Sequence, residues 1–532
     1  MLRATLLILI CVQSPTLVVV DSARILGIFP IPSISHQVVF RALMLELGKR
    51  GHELVIITPN PALPADRAPD NITEIDTGEA YQLMGKLFNE ARGNNSFKRG
   101  IVMDVNILFN EDSAKGMMEL ISYQFELAEV QKLLNDKSQK FDLVFVEAIA
   151  NFHLIVSHIF KAPAILFSSF YGCPEHFETM GAVTWHPLYY PNYFRHKYKN
   201  LSFWEKIEEL YLEWKLYRMV KSDQERENQL LRERFGPDVP TIQEMHQNIQ
   251  MLFVNAHPMF GNNRPVPPSV VYLGALHLQP VKELPQDIKA YLDNSTRGVI
   301  YVSLGSNVRP SMMDQDLLDA FLNAFEALPY DILWKFDGDQ LIKLPKNVKI
   351  KKWFPQRDLL VHPKIKVFVT QGGLQSTDEA IDSEVPLVGI PMMADQWYNV
   401  NKYIELGIGV QVDALTMTAD DLVNAVNVVI GNESAAPNSY RTNIKRVRDV
   451  INDQPQQPLE RAVWWTEHVL RHGGKHLRAP AANTTWAEYI MLEVLAVIIG
   501  ITTVIFTLIL YVTCCIISMC KRTIQVVKAK QS

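Results

Sequence analysis

The sequence predicts an α/β protein with two parallel-sheet halves of comparable length and a C-terminal membrane-spanning helix. Three observations predict it. The stretch Val367 to Gln396, VFVTQGGLQSTDEAIDSEVPLVGIPMMADQ, reads as strand, Gly turn, helix and strand. Residues Arg24 to Thr58 read as a β-α-β opening. Between these units the composition turns Pro-rich at Pro265-Val266-Pro267-Pro268, and a linker follows from about His277 to Pro285, with βα repeats on either side.

At 532 residues the chain has room for two or three domains and a full core. Its net charge of −5 implies no general attraction to nucleic acid. Arg3 and the apolar run from Ala4 to Val20, ending near Ser22 and Ala23, read as a secretory signal over residues 1–23, with an uncleaved anchor as the alternative. Cys11 lies in that leader, and Cys514, Cys515 and Cys520 lie in or beside the C-terminal apolar segment. Only Cys173 remains for the folded body, which therefore has no internal disulfide. Sequons at Asn71, Asn94, Asn200, Asn294, Asn432 and Asn483 fit a body exposed to the endoplasmic reticulum lumen.

In the opening unit a strand from Arg24 gives way to the loop Ile31 to His36, and a helix is expected from Gln37 to Arg50. That loop lies at the carboxyl end of a parallel sheet, the edge where ligands bind. His36 stands at the loop-to-helix junction. An imidazole titrates near neutral pH and suits proton abstraction from an alcohol or phenol, although most histidines in such a place are not catalytic. Phe141 to Glu147 is a further strand. Glu147 at its end is either a functional carboxylate or a solvated strand end, and Asp142 is a strand-start residue. From Trp185 to Met219 the chain is rich in Trp, Tyr and Phe with interleaved basic residues. It reads equally as core and pocket wall or as a surface leaning on a membrane interface.

The second half opens with the strand Gly298 to Ser303 and a Ser/Gly loop at Leu304-Gly305-Ser306, a natural neighbour for phosphate. After the strand Ile332 to Phe336, Asp337-Gly338-Asp339 spells D-x-D, as in metal-dependent transferases. An Asp-Gly turn is the stronger reading, because nothing nearby supplies further hard oxygen ligands. Next, Gly372-Gly373 lets the backbone approach a ligand, and the N–H groups and dipole of the following helix favour an anion. Glu379, Asp395 and Gln396 supply partners for hydroxyl groups. An anion cradle beside hydroxyl acceptors is what a nucleotide sugar needs.

The Gly pair after a strand, Ser376, Glu379, Pro386, Pro391 and Asp395-Gln396 resemble the signature of the UDP-glycosyltransferase family, of the animal microsomal type and most like insect UDP-glucosyltransferases. The resemblance implies two Rossmann-like domains facing each other, the GT-B fold. An acceptor domain would span 24–280 and a UDP-sugar domain 281–480. It implies His36 as the base that deprotonates the acceptor, with Glu147 in place of an aspartate that orients it. Glu147 is one methylene longer, so either the pair is re-spaced or the assignment is off by a turn. Ser306 would contact the diphosphate. In Trp353-Phe354-Pro355-Gln356 the indole would stack on uracil and Gln356 would contact ribose or base. Gln371 stands where vertebrate members usually carry a histidine. With Gly373, Gln375, Ser376, Glu379, Asp395 and Gln396 these residues complete the implied UDP-sugar site. The UDP-sugar is a co-substrate, no other cofactor is implied, and no metal is expected.

Val494 to Ile517 is uncharged over 24 residues, enough to span a bilayer of ~30 Å. The basic tail, 518–532, places the C-terminus in the cytosol and the body in the lumen. Its lysines at Lys528 and Lys530 resemble a dilysine retrieval signal, against ordinary positive-inside lysines. The expectation is a single-pass type I protein of the endoplasmic reticulum membrane. It would transfer a hexosyl group, glucose foremost, from a UDP-sugar to a small lipophilic acceptor by inverting displacement, for detoxification or inactivation. A homo- or hetero-oligomer is left open. The rivals are a non-catalytic luminal binding protein on the same fold and a single-span receptor, which the short tail disfavours.

Overall fold

The computed structural model describes residues 22–531 apart from 65–66, 95, 105–110, 150, 183–185, 339–342 and 432–438. Residues 1–21 of the expected leader therefore lie outside the described residues, as do Trp185, Asp339 and the sequon at Asn432, whereas Ala23, the last residue of that expected leader, is buried in the first domain's core.

The first sheet contains β1 (Arg24–Ile28), β2 (Glu53–Thr58), β3 (Ile72–Asp76), β4 (Leu143–Glu147), β5 (Ala164–Ser168), β6 (Ile249–Val254) and β7 (Val270–Tyr272). All seven run parallel, in the order β3-β2-β1-β4-β5-β6-β7. The second contains β8 (Val299–Ser303), β9 (Asp331–Lys335), β10 (Val348–Lys351), β11 (Ile365–Thr370), β12 (Leu387–Gly389) and β13 (Gly409–Gln411). These six are also parallel, in the order β10-β9-β8-β11-β12-β13. Strands such as β4 (LVFVE) and β8 (VIYVS) are buried along their whole length. That is the pattern of parallel sheets covered by helices on both faces. The strand order reverses between β1 and β4 in one sheet and between β8 and β11 in the other. Crevices at such switch points bind ligands. His36 and Glu147 follow β1 and end β4. Ser306 and Gly372-Gly373 follow β8 and β11.

The helices that position the site are α1 (Ile34–Lys49), α2 (Phe203–Phe235), α3 (Leu374–Asp382), α4 (Gln396–Leu406), α5 (Pro458–His472) and α6 (Leu492–Gln531). Helix α1 begins three residues before the expected Gln37, because Ser33 serves as its N-cap in extended backbone and its carbonyl accepts from His36 N and Gln37 N at 3.0 and 3.1 Å. His36 is thus a first-turn residue, held by the helix rather than by a loop. Helix α5, which the sequence reading grouped with the second domain, packs on the first. Ala462, Val463 and Val469 share a core with Ile25, Leu43 and Phe253, and Arg461 donates to the Tyr272 carbonyl at 3.0 Å. Its apolar stripe needs a partner surface, and α1 offers one; chain order does not decide which sheet a helix covers.

The aromatic stretch divides. Tyr193 and Tyr198 are buried at 6% and 3% exposure. Along α2, Phe203, Trp204, Tyr211 and Trp214 are exposed, Trp204 at 75%. A Ser202–Glu205 capping box starts this helix, and only its second half, at Gln224, Glu227, Asn228 and Leu231, enters the core. Helix α6 is long and apolar enough to cross a membrane, with mean hydropathy 2.6 and none of it buried against the body. Asp337 is a turn anchor: its carboxylate accepts from Arg309 Nε at 3.1 Å and from Ser311 N and Oγ at 2.9 and 2.5 Å.

Candidate active site

The two crevices face each other, and polar bridges cross the gap between the domains. Asn307 Nδ2 donates to Ser33 Oγ at 3.2 Å, which brings the loop after β8 beside the start of α1. Gln375 Nε2 donates to the Ser169 carbonyl at 2.9 Å, and Tyr171 Oη donates to Asn399 Oδ1 at 2.5 Å. The candidate base and the candidate donor site therefore open on one space.

His36 Nδ1 meets Glu147 Oε1 at 2.8 Å. Glu147 is buried at 1% exposure, and its other oxygen accepts from Ile31 N at 3.2 Å. A buried carboxylate needs such partners. The longer side chain reaches the ring directly, so the pair is re-spaced and Glu147 is not a solvated strand end. With Nδ1–H bonded to the carboxylate, Nε2 is the nitrogen left to accept a proton. The Phe170 ring lies 5.7 Å from the imidazole and walls one side.

On the donor side, Gln356 is a hub. Its Oε1 accepts from Tyr301 Oη at 3.1 Å, and its Nε2 donates to Ser376 Oγ at 2.9 Å and Glu379 Oε2 at 2.7 Å. Burial pushes the Glu379 carboxyl up to about 7, against the opposing bond from Gln356. Trp353 presents an exposed ring, at 58% exposure, as a stacking platform must. Ser306 is exposed on its turn. Gln371 is buried and lies across Gly305. Gly305 has φ of +77°, which glycine adopts without strain, and a Cβ there would stand 2.1 Å from Gln371 Nε2 and displace that amide. Gly372, with φ of +92°, turns the chain so that Gly373 caps α3 and its first amides face the crevice.

Asp395 caps α4. Burial raises its carboxyl above the usual range, while the bond from Asn399 and the nearby His36 work against that rise. Gln396 is buried, and its Oε1 accepts from Met392 N and Met393 N, both at 2.9 Å. Only its NH2 group is left to meet a hydroxyl. Gln375 lies apart from the Gln356 hub: its NH2 group already reaches Ser169.

Three residues escaped the sequence reading. Asn399 Nδ2 donates to Asp395 Oδ2 at 3.0 Å and to the Gly372 carbonyl at 2.7 Å, so one amide sets both the candidate sugar acceptor and the anion turn. Tyr171 holds that amide from the first domain. The i, i+4 spacing from Asp395 on α4 was the available signal for Asn399; nothing in the chain pointed to Tyr171. Lys335 Nζ donates to the Gly305 carbonyl at 2.8 Å and lies 4.3 Å from the Trp353 ring. Burial lowers its ammonium to about 8.

Residues 26–530 match the sequence profile of the family described as UDP-glucoronosyl and UDP-glucosyl transferase. The chain is 43% identical over 489 residues to an ecdysteroid UDP-glucosyltransferase of Spodoptera littoralis nuclear polyhedrosis virus, covering 89% of this chain and 93% of that one. It is 32% identical over 483 residues to UDP-glucosyltransferase 2 of Dactylopius coccus, covering 89% of each. The crystal structure of a UDP-glucose:anthocyanidin 3-O-glucosyltransferase in complex with UDP superposes with a TM-score of 0.51 at 18% identity, covering 84% of this chain and 98% of that one. At that identity the likeness shows the shared fold of two facing Rossmann-like domains, the GT-B arrangement.

Proposed function

The chain belongs to the UDP-glycosyltransferase family and is an enzyme of glycosyl transfer from a UDP-sugar, and on that premise we propose that it moves glucose from UDP-glucose to a hydroxyl of a small lipophilic acceptor in one inverting displacement. The observation that carries this reading is the His36–Glu147 contact of 2.8 Å at the start of α1, on the space shared with the Gly372-Gly373 turn. His36 Nε2 takes the acceptor proton as the oxygen attacks the anomeric carbon, and Glu147 stabilises the imidazolium. The sugar–phosphate bond breaks on the opposite face. UDP leaves toward the first amides of α3, Ser306 and Gln371, which are fixed before the reaction. Trp353 and Gln356 hold the nucleoside, with Ser376 and Glu379 at the ribose. Asp395 and the Gln396 NH2 group hold the sugar hydroxyls.

Relatives named as ecdysteroid UDP-glucosyltransferases favour a steroid-type alcohol among the acceptors, and sugar conjugation would inactivate or detoxify it. We place the body in the lumen of the endoplasmic reticulum, anchored by α6, with the exposed Trp and Tyr side chains of α2 against the bilayer surface. Membranes expressing the protein should convert UDP-glucose and a panel of steroid and phenolic alcohols to products heavier by one hexose, with the anomeric configuration inverted. UDP binding without UDP release across the whole panel would favour the non-catalytic reading instead.

A further inference from the structure

The segment from Ser169 to Cys173 leaves β5, passes beside His36 at Phe170, and enters the short helix Pro174–Met180. Cys173 is the only cysteine between residue 11 and the C-terminal apolar segment. Its Sγ, a carboxylate oxygen of Glu175 and a ring nitrogen of His176 lie within 4.8 Å of one another. His176 is fully buried, and among the described residues neither ring nitrogen has a hydrogen-bond partner. Buried polar atoms without partners are rare and call for a ligand.

We propose that Cys173, Glu175 and His176 bind one divalent ion of the zinc class. Thiolate, imidazole and carboxylate together form a donor set that zinc takes and that magnesium and calcium do not. Tetrahedral coordination would draw the three donor atoms from within 4.8 Å to about 3.3–3.7 Å of one another. Tyr193 Oη, 3.2 Å from Sγ, is placed to donate to the thiolate as an outer partner. Glu175 also lines a cleft of about 430 Å³ with Glu178, Lys221, Asp223, Glu227 and His246. A water from the cleft would complete the coordination.

The charges balance. A divalent ion held by one thiolate, one carboxylate and one neutral imidazole leaves a neutral buried cluster, the thiol proton passing to solvent. Bound there, it would brace the loop that presents Phe170 to His36 and Tyr171 to Asn399. The site lies outside the transfer chemistry, and the inference does not depend on the proposed reaction.

The test uses the full chain in detergent micelles with Cys11, Cys514, Cys515 and Cys520 replaced by serine, titrated with Co²⁺ and then Zn²⁺. One Co²⁺ per chain should give a near-ultraviolet sulfur-to-cobalt charge-transfer band with tetrahedral visible bands, and Zn²⁺ should erase both. Cys173→Ser should lose the near-ultraviolet band, and His176→Gln should weaken ion binding about 10-fold or more. His468 and His476, whose Nε2 atoms lie 3.0 Å apart on the surface, would bind Co²⁺ without a sulfur band and are told apart that way. Absence of the band in parent protein that still binds UDP would overturn the proposal, and so would an unchanged band in Cys173→Ser. Should either variant fail to fold, the parent spectrum alone decides.

Discussion

Tyr171 and Asn399 are joined across the two domains by a hydrogen bond of 2.5 Å, and through Asn399 the first domain reaches both Asp395 and the Gly372 turn. Asp395 faces the sugar in the proposed reaction, whereas UDP lacks that sugar. Tyr171→Phe keeps the ring and leaves a buried amide oxygen without its donor, a loss of about 1–3 kcal/mol. The KM for UDP-glucose should rise about 5- to 100-fold, and the Kd for UDP, from calorimetry, should rise by a smaller factor, because Asn399 also holds the Gly372 carbonyl. Equal weakening of both ligands would mean that Tyr171 supports the domain as a whole.

The His36–Glu147 pair should separate chemistry from binding. His36→Ala is expected to lower kcat by about 10²–10⁴ with UDP affinity intact. Glu147→Gln keeps the contact but cannot stabilise an imidazolium, and should cost a comparable factor. Near-normal turnover in His36→Ala, measured on solubilised protein, would remove it from the mechanism.

UDP affinity should be bell-shaped in pH. Glu379 has its carboxyl raised to about 7, so the ionised form that accepts ribose hydroxyls is lost as pH falls through about 7. Lys335 has its ammonium lowered to about 8, so the charge that ties Gly305 to Trp353 is lost as pH rises through about 8. Affinity should fall about 10-fold per pH unit on each side. Glu379→Gln should flatten the acid limb and Lys335→Met the alkaline limb, both read by fluorescence titration of UDP.

Gly305 and Gln371 share one small volume. Gly305→Ala would force a Cβ to within 2.1 Å of Gln371 Nε2 at a positive φ, and UDP affinity should fall at least 10-fold. Gln371→His exchanges one hydrogen-bond donor for another and should keep substantial activity. A complete loss in well-folded Gln371→His would overturn the placement of Gln371 beside the diphosphate.

Asn71 should remain unglycosylated. Its Nδ2 donates to the carbonyls of Gly48 and His52 at 2.8 and 2.9 Å, and a glycan would take one of those hydrogens. Asn94, Asn200 and Asn294 are exposed and are expected to carry sugar where the body faces the lumen. Peptide mapping after enzymatic deglycosylation reads each site.

The sequence by itself determined the local units. Alternation of apolar runs with glycine turns specified parallel βα repeats in both halves, and the resemblance of the stretch from Trp353 to Gln396 to a family signature proposed the donor residues, which consecutive elements of one sheet edge carry. The uncharged segment Val494 to Ile517 could be read from composition alone. Contacts between segments far apart in the chain were beyond it. Glu147 meets His36 from 111 positions away, and only the pairing of β1 with β4 brings them together. Helix α5 covers the first sheet because its apolar stripe fits α1. Tyr171 and Asn399 meet only once the two domains face each other, and Lys335 reaches Gly305 and Trp353 only once β8, β9 and β10 lie side by side in the second sheet. Local sequence sets backbone periodicity; which side chains share a crevice is decided by the packing of whole sheets, where burial and hydrogen-bond satisfaction are settled between distant parts of the chain.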